Sequence, residues 1–220
     1  MYIKNKLFAL EYRIIVVLCC AIGLLGSFFG AESLQIISYY TVLSNFSVLF
    51  FYIIMICFNH ADIIKNGVSG YAGFAPRIKG LIMLLVTMAG LFYHFILPKE
   101  EGFIGLDNIL VHYAVPVFCI ADWLVFDKKK SFRWYDPVLW MTAPFVYLCY
   151  IFIRAEFFAP FPSGSRYPYF FLDTDVMKKS AVIFYASVIG AVFVLAGELF
   201  YFLDRFLPQL FGSASAQGED

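Results

Sequence analysis

The chain has 220 residues, of which 62% are hydrophobic, 20% are aromatic and only 15% are charged, and its formal net charge is zero. Globular domains carry about a quarter charged residues, and a compact domain of this size hides only roughly 70% of its accessible surface. A soluble fold would therefore expose much apolar surface to water, and the zero net charge excludes a general attraction to nucleic acid. The composition predicts an integral membrane protein.

Six apolar stretches are long enough to cross a bilayer, for which an α-helix needs about 20 residues. They cover, in chain order, about residues 12–30, 37–58, 79–97, 107–126, 137–154 and 179–203. None alternates as the strand of a barrel does, and a helix satisfies its own backbone hydrogen bonds in lipid. We predict an all-α bundle of six transmembrane helices, with residues 1–211 as a single domain and 212–220 as a disordered polar tail.

The basic residues set the expected orientation of this bundle. Eleven of the sixteen Lys and Arg residues fall in or beside the segments on the side of the N-terminus. Short cytoplasmic segments carry such an excess of positive charge. We therefore predict that both termini are cytoplasmic. The connection 155–178, rich in proline and aromatic residues, is expected to form an ordered, non-helical flap over the outer surface.

Two polar residues of the predicted helices, Thr41 and His112, are expected to share one layer. Thr41 is four residues past the predicted start of the second helix and His112 is five past that of the fourth, so both lie roughly 6 to 8 Å below the outer boundary. Polar side chains at such depth usually face the bundle interior and mark functional sites. Pro116 cannot donate to the carbonyl of His112, which predicts an irregular backbone there.

A threonine hydroxyl becomes a useful nucleophile when a neighbouring base takes its proton, and a neutral imidazole suits that role near pH 7. Thr41 and His112 could therefore form a minimal dyad of nucleophile and general base that needs no metal or cofactor, and its depth suits a substrate whose acyl chains stay in the membrane. Asp107 or Asp173 could orient the imidazole. Candidates for substrate contacts or oxyanion donors are Ser44, Asn45, Tyr93, His94, Asn108, Tyr113 and Arg154.

Polar residues in membrane helices can also have purely structural roles. A membrane threonine often bonds the carbonyl four residues earlier, and Ser and Asn often only hold helices together. The pair Asp122 and Trp123 is interpreted as an interfacial anchor, since Trp favours the membrane boundary. The five cysteines are interpreted as small core or lipid-facing residues.

Several fragments carry a resemblance to a known family. They lie at residues 40–45, 110–116, 122–126, 147–154 and 167–173, and they read YTVLSN, LVHYAVP, DWLVF, YLCYIFIR and YPYFFLD. In this order and spacing, the chain resembles the bacterial six-transmembrane branch of the androgen-induced and androgen-dependent membrane hydrolase superfamily, over about residues 10–205. The resemblance implies hydrolysis of fatty acid esters of hydroxy fatty acids by Thr41 and His112, a membrane lipid as substrate, and location in a bacterial cell membrane.

Two other functions remain open at this point. A small-molecule or proton-coupled transporter could use His112, Asp107 and Arg154 as a relay or binding site, although no inverted repeat is visible. A metal-dependent enzyme could use His94 and His112 with Asp107 or Asp173, although the His spacing matches no known metal motif. The oligomeric state is not readable from the sequence.

Overall fold

The computed structural model describes residues 3–31, 33–97 and 105–212, with side chains through residue 207. Except for Gly212, the predicted polar tail lies outside the described residues. Six long helices are found: α1 Lys6–Gly30, α2 Tyr40–Asn66, α3 Pro76–Phe95, α4 Leu106–Phe126, α5 Asp136–Phe157 and α6 Lys179–Gly212. Each is long and apolar enough to cross a membrane. The predicted all-α fold with six spanning helices is confirmed, and the chain is a multi-pass membrane protein.

The helix bounds differ from the predicted spans mainly in polar regions. α1 begins at Lys6 and α2 ends at Asn66, so each continues beyond its apolar stretch. The physical reason is that hydropathy marks the part of a helix inside hydrocarbon, whereas the hydrogen-bonded helix continues into the polar interface. The start of α2 also differs, because Leu34–Ser38 forms a 3₁₀-helix before it. Thr41 therefore lies in the first turn of α2, where it is half-buried beneath the connection that carries Tyr169.

The long connection between α5 and α6, residues 158–178 in the structure, covers one end of the bundle, which we call the loop end. Arg154 holds this connection in place, because its guanidinium donates to the carbonyls of Arg166 at 3.0 Å and Ala159 at 2.9 Å. The Gln35 amide donates to the carbonyl of Pro160 at 2.8 Å. Both side chains donate hydrogen bonds to backbone oxygens of the connection, which hold it in place over the helix ends.

α4 is not regular throughout. Residues Leu110–Ala114 form a π-helical turn that contains His112 and ends just before Pro116. The missing N–H of the proline fits this irregularity, which its position in the sequence predicts. α3 packs closely here, since a Cβ added to Gly90 would lie 2.4 Å from the carbonyl oxygen of His112. π-helical turns are frequent at functional sites.

The opposite end, where α1 begins and α6 ends, holds a buried ionic cluster that we call the quartet. It consists of Arg13 on α1, Lys79 on α3, and Asp122 and Asp127 at the end of α4. Asp122 lies 3.2 Å from Nε of Arg13 and 2.5 Å from Nζ of Lys79, and Asp127 lies 2.8 Å from Nζ of Lys79. All four side chains are at most 2% exposed. The two positive and two negative charges balance.

The interpretation of Asp122 and Trp123 as an interfacial anchor is wrong. Asp122 belongs to the quartet and also accepts a hydrogen bond from the hydroxyl of Tyr52 at 3.1 Å. Trp123 is 1% exposed and its ring stacks against that of Phe132 at 5.9 Å. The sequence places both residues near a helix end, but packing against neighbouring segments buries both side chains there.

Candidate functional site

A partly open cavity of about 170 Å³ lies beneath the connection at the loop end. Its walls come from α2, α3, α5, α6 and the connection, and they are mainly apolar. Large apolar side chains that line it are Phe92, Phe145, Phe171, Leu172, Ile189 and Phe193. A space lined in this way suits a hydrocarbon chain, because apolar pockets with a few polar groups are typical of small-ligand sites.

Four hydroxyl-bearing residues line the cavity, namely Tyr40, Thr41, Tyr147 and Tyr169. The hydroxyl of Tyr40 donates to the carbonyl of Leu85 at 3.0 Å, and that of Tyr147 donates to a backbone carbonyl of the 3₁₀-helix at 3.0 Å. Among the described residues the hydroxyl of Thr41 has no hydrogen-bond partner. The hydroxyl of Thr41 is thus free to meet a ligand in the cavity.

Tyr169 reaches the cavity from the connection. Its hydroxyl accepts a hydrogen bond from the backbone N–H of Tyr40 at 3.0 Å, and the N–H of Thr41 lies beside the same oxygen. The first N–H groups of a helix have no partner within it, so Tyr169 satisfies donors that no side chain of Tyr39 caps. The contact fixes the connection against the turn that carries Thr41.

His112 lies on the π-helical turn and is 7% exposed. Its imidazole stacks on the ring of Tyr93, with centroids 3.8 Å apart and planes 12° from parallel. Nδ1 is buried and has no hydrogen-bond partner among the described residues. His112 does not line the cavity itself, but its ring lies beside the carbonyl of Ala89, and Ala89 does line the cavity.

One side chain joins the segments that carry Thr41 and His112. The amide nitrogen of Asn45 donates to the carbonyl of Thr41 at 2.9 Å and to that of Val111 at 3.1 Å. The backbone segments that carry the two predicted catalytic residues are therefore held together by the hydrogen bonds of a buried amide. In the described part of the chain, their side chains form no hydrogen bond with each other. The hydroxyl of Ser44 donates to the carbonyl of Thr41 at 2.9 Å, so it is used in a hydrogen bond within α2.

Asp107, one of the two candidates to orient His112, lies on α4 just before the π-helical turn and is close enough to act electrostatically on the imidazole. The other, Asp173, accepts hydrogen bonds from the hydroxyl of Ser165 at 2.7 Å and from the N–H of Asp175 at 2.9 Å. Within the described ranges Asp173 forms no hydrogen bond or ion pair with His112. Asp173 organises the connection.

The remaining predicted contacts lie outside the cavity. His94 is exposed, and its Nδ1 is 3.2 Å from the hydroxyl of Tyr113. Asn108 is half-buried on the first turn of α4, and the guanidinium of Arg154 lies 3.9 Å from the ring of Phe161 in the connection. No group of three His, Cys, Asp or Glu side chains able to hold a metal ion occurs in the parts of the chain that the structure describes. The metal-enzyme alternative therefore gains no support from side-chain geometry.

In comparisons with known proteins, no family model, no curated protein and no solved structure matches the chain. The family resemblance drawn from the sequence stays a prediction. Tyr169, the residue that sequence reasoning did not single out, lies in the aromatic fragment YPYFFLD that carried part of that resemblance. The sequence signal that could have identified Tyr169 is its place in the connection, which was expected to cover the outer surface.

Proposed function

We propose that the chain is an intramembrane hydrolase of lipid esters, acting on fatty acid esters such as those of hydroxy fatty acids. The observation that carries the proposal is the hydroxyl of Thr41, which lies on the wall of a mainly apolar cavity and has no hydrogen-bond partner among the residues that the structure describes. An acyl chain in the cavity would place its ester group at the polar corner formed by Thr41, Tyr169 and Tyr147. Holding the reacting groups together in this way supplies much of the rate enhancement of an enzyme.

The reaction has two balanced steps. Oγ1 of Thr41 attacks the carbonyl carbon, its proton passes to His112, and the carbonyl electron pair moves onto oxygen. The intermediate then collapses and expels the alcohol, which takes the proton back from the imidazolium, leaving an acyl group on Thr41. Water, deprotonated by His112, attacks this acyl group; the bond to Oγ1 of Thr41 breaks, Oγ1 takes the proton back from the imidazolium, and the carboxylic acid is released. The sum is ester plus water giving acid plus alcohol.

Two features support His112 as the base. Nδ1 is buried and unpartnered, so its lone pair or proton is not engaged by another described residue. The imidazole lies beside the backbone carbonyl of Ala89, a residue that lines the cavity, and on a turn that departs from regular α-helix. Proton transfer requires the imidazole within about 3 Å of Oγ1, and such contacts often tighten only when substrate binds.

The proposal includes an orientation. With both termini in the cytoplasm of a bacterial cell, the loop end and its cavity face the outer leaflet. The excess of Lys and Arg at the other end supports this arrangement. A substrate would then enter from the outer leaflet, with its alkyl chain in the membrane and its ester near the headgroups.

The test uses the full chain in detergent with four proteins: wild type, Thr41→Val, Thr41→Ser and His112→Ala. Thr41→Val keeps the shape of the side chain and removes the hydroxyl, whereas Thr41→Ser keeps a nucleophile. Hydrolysis of a panel of lipid esters is followed by mass spectrometry. We expect activity in the wild type and Thr41→Ser, and losses of several orders of magnitude in the other two.

Wild-type turnover by both Thr41→Val and His112→Ala would contradict the mechanism. If the wild type cleaves no ester in the panel, the transporter alternative is favoured, and uptake of labelled small molecules into liposomes becomes the next measurement. Comparable melting temperatures of the four proteins are the control for folding.

A further inference from the structure

The cavity holds a second polar group whose position suits transition-state stabilisation. Tyr169 lines the cavity together with Thr41, and its hydroxyl is fixed at the backbone N–H of the residue just before Thr41, at 3.0 Å. Hydrolysis through Thr41 creates a negative charge on the former carbonyl oxygen, and hydrogen-bond donors fixed near that atom are a large part of catalysis. The inference that follows rests on the proposed hydrolase function.

We infer that Tyr169 is the oxyanion donor of this site, and that its phenolic O–H donates a hydrogen bond to the ester carbonyl oxygen as Thr41 attacks. Tyr169 keeps its proton throughout, since the proton of Thr41 goes to His112. The charge that develops on the oxygen strengthens the hydrogen bond, because bonds to ionised acceptors are roughly twice as strong as neutral ones. The stabilisation is therefore larger in the transition state than in the bound ester.

Three of the donors expected from the sequence are engaged elsewhere. The amide nitrogen of Asn45 donates to two backbone carbonyls, and the hydroxyl of Ser44 donates to the carbonyl of Thr41. The guanidinium of Arg154 donates to two carbonyls of the connection. None of the three lines the cavity. Tyr169 is the side chain that combines a place in the cavity with a fixed position beside Thr41.

Among the described residues, the hydroxyl of Tyr147 is the one acceptor that competes with a ligand for the proton of Tyr169. Its oxygen acts as acceptor toward the N–H groups of Tyr40 and Thr41. The neighbouring hydroxyl of Tyr147 donates to the carbonyl of Ser38, so Tyr147 offers Tyr169 only a neutral oxygen as acceptor. A developing oxyanion competes favourably with such a neutral acceptor.

The ring of Tyr169 is held in place, as preorganised catalysis requires. It stacks on Phe171 with centroids 5.3 Å apart and planes 3° from parallel, and it meets Tyr39 edge to face at 5.9 Å. Burial raises the pKa of Tyr169 to about 12. The phenol thus remains a neutral donor throughout the pH range in which a histidine base works.

The experiment compares Tyr169→Phe with Tyr167→Phe in the full chain. Tyr167 is a matched control from the same connection, because it is 4% exposed, its hydroxyl bonds Thr174 at 2.6 Å, and it does not line the cavity. We expect Tyr169→Phe to lower kcat by about 10²–10³-fold with little change in KM, as removal of one oxyanion donor does. Tyr167→Phe should retain wild-type kcat.

Two inhibitors separate an oxyanion donor from a residue that only caps α2. A long-chain alkyl trifluoromethyl ketone forms a tetrahedral oxyanion with Thr41, whereas the matching alkyl ether fills the cavity without forming one. We expect Tyr169→Phe to weaken inhibition by the ketone by the same factor as kcat, and to leave binding of the ether unchanged. Equal weakening of both inhibitors, or wild-type kcat in Tyr169→Phe, would overturn the inference.

Failure of this inference and failure of the proposed function give different results. If wild-type activity depends on Thr41 and not on Tyr169, the hydrolase stands and the oxyanion assignment is wrong. If Thr41→Val retains full activity, or the wild type cleaves no ester, both are wrong.

Discussion

The guanidinium of Arg13 on α1 and the carboxylate of Asp122 on α4 face each other at 3.2 Å, and neither side chain is exposed. Lys79 and Asp127 complete the quartet, which joins α1, α3 and the end of α4. A buried charge without its partner is costly, because neither lipid nor the apolar core solvates it. The quartet therefore restricts how these three helices can assemble.

Replacing Asp122 with Ala should destabilise the protein strongly. The change leaves the quartet with two cations and one anion, and breaking a buried ion pair costs about 3–5 kcal/mol. We expect a large fall in the melting temperature in detergent, measured by fluorescence-detected size-exclusion chromatography after heating.

The matched control is Asp175→Ala. Its ion pair with Arg166 lies in the connection, where Arg166 is 36% and Asp175 is 43% exposed, and exposed pairs contribute about 0–1 kcal/mol. A second control, Lys79→Met combined with Asp127→Leu, keeps the charges balanced and should be less harmful than Lys79→Met alone. If Asp122→Ala has the same melting temperature as Asp175→Ala, the quartet does not hold the helices together.

Gly90→Ala should disturb the π-helical turn that carries His112. The new Cβ would lie 2.4 Å from the carbonyl oxygen of His112, and backbone cannot move aside as a flexible side chain can. Overpacking of this kind costs about 1–3 kcal/mol, so both the melting temperature and the rate of ester hydrolysis should fall. The control Gly30→Ala adds a Cβ where nothing lies within 4 Å. Equal stability and activity of the two variants would show that the contact between α3 and the turn is not critical.

Filling the cavity should reduce activity in a way that depends on acyl length. Ala186 lines the cavity from α6, so Ala186→Phe takes space that the acyl chain needs. We expect kcat/KM for long-chain esters to fall by at least about tenfold, with a smaller loss for short-chain esters. Val188→Phe on the same helix is the control, since Val188 is 44% exposed on the outer surface. A loss independent of chain length would contradict the cavity as the acyl site.

Because of Lys129, the stability of the protein should change with pH in the alkaline range. Its ammonium lies 4.1 Å from the ring of Trp123, and burial lowers the pKa of Lys129 to about 8 from an ordinary value of 10.5, although Asp127 and Asp204 favour its charged form. Below pH 8 the folded protein bears the cost of a buried charge. Between pH 8 and 10.5 the unfolded chain holds more protons than the folded one, so stability rises with pH.

The corresponding measurement is the melting temperature across this pH range for wild type, Lys129→Met and the exposed neighbour Lys128→Met. The difference between wild type and Lys129→Met should change in favour of the wild type as pH rises, whereas Lys128→Met should follow the wild type. A constant difference between wild type and Lys129→Met would contradict the burial of a charged Lys129.

Hydropathy alone predicted the number of helices and most of their bounds. α4 was expected at 107–126 and is observed at Leu106–Phe126, because a run of apolar residues is bounded sharply by polar ones. The quartet was missed for a physical reason. Arg13 and Asp122 are 109 residues apart, and each alone looks like a side chain that reaches the headgroups from a helix end. Only the packing of three helices shows that no headgroup is within reach.

The site was predicted in part. Thr41 and His112 were selected by depth, and the bonds of Asn45 to the Thr41 and Val111 carbonyls show that their backbone segments are neighbours. The depth of Thr41 was counted from residue 37, whereas α2 begins at Tyr40, because hydropathy does not distinguish a 3₁₀-helix from an α-helix. The cavity could not be predicted, since it depends on how the connection folds back over the helix ends.

The most direct measurement is covalent labelling of the nucleophile. A long-chain alkyl fluorophosphonate reacts with activated hydroxyl groups, forming an oxygen–phosphorus bond and releasing fluoride. Peptide mass spectrometry of the labelled wild type should place the phosphonate on Thr41, with no label in Thr41→Val and much slower labelling in His112→Ala. A preparation that cleaves lipid esters while its label lies on another residue, or while Thr41→Val labels as fast as wild type, would contradict Thr41 as the nucleophile.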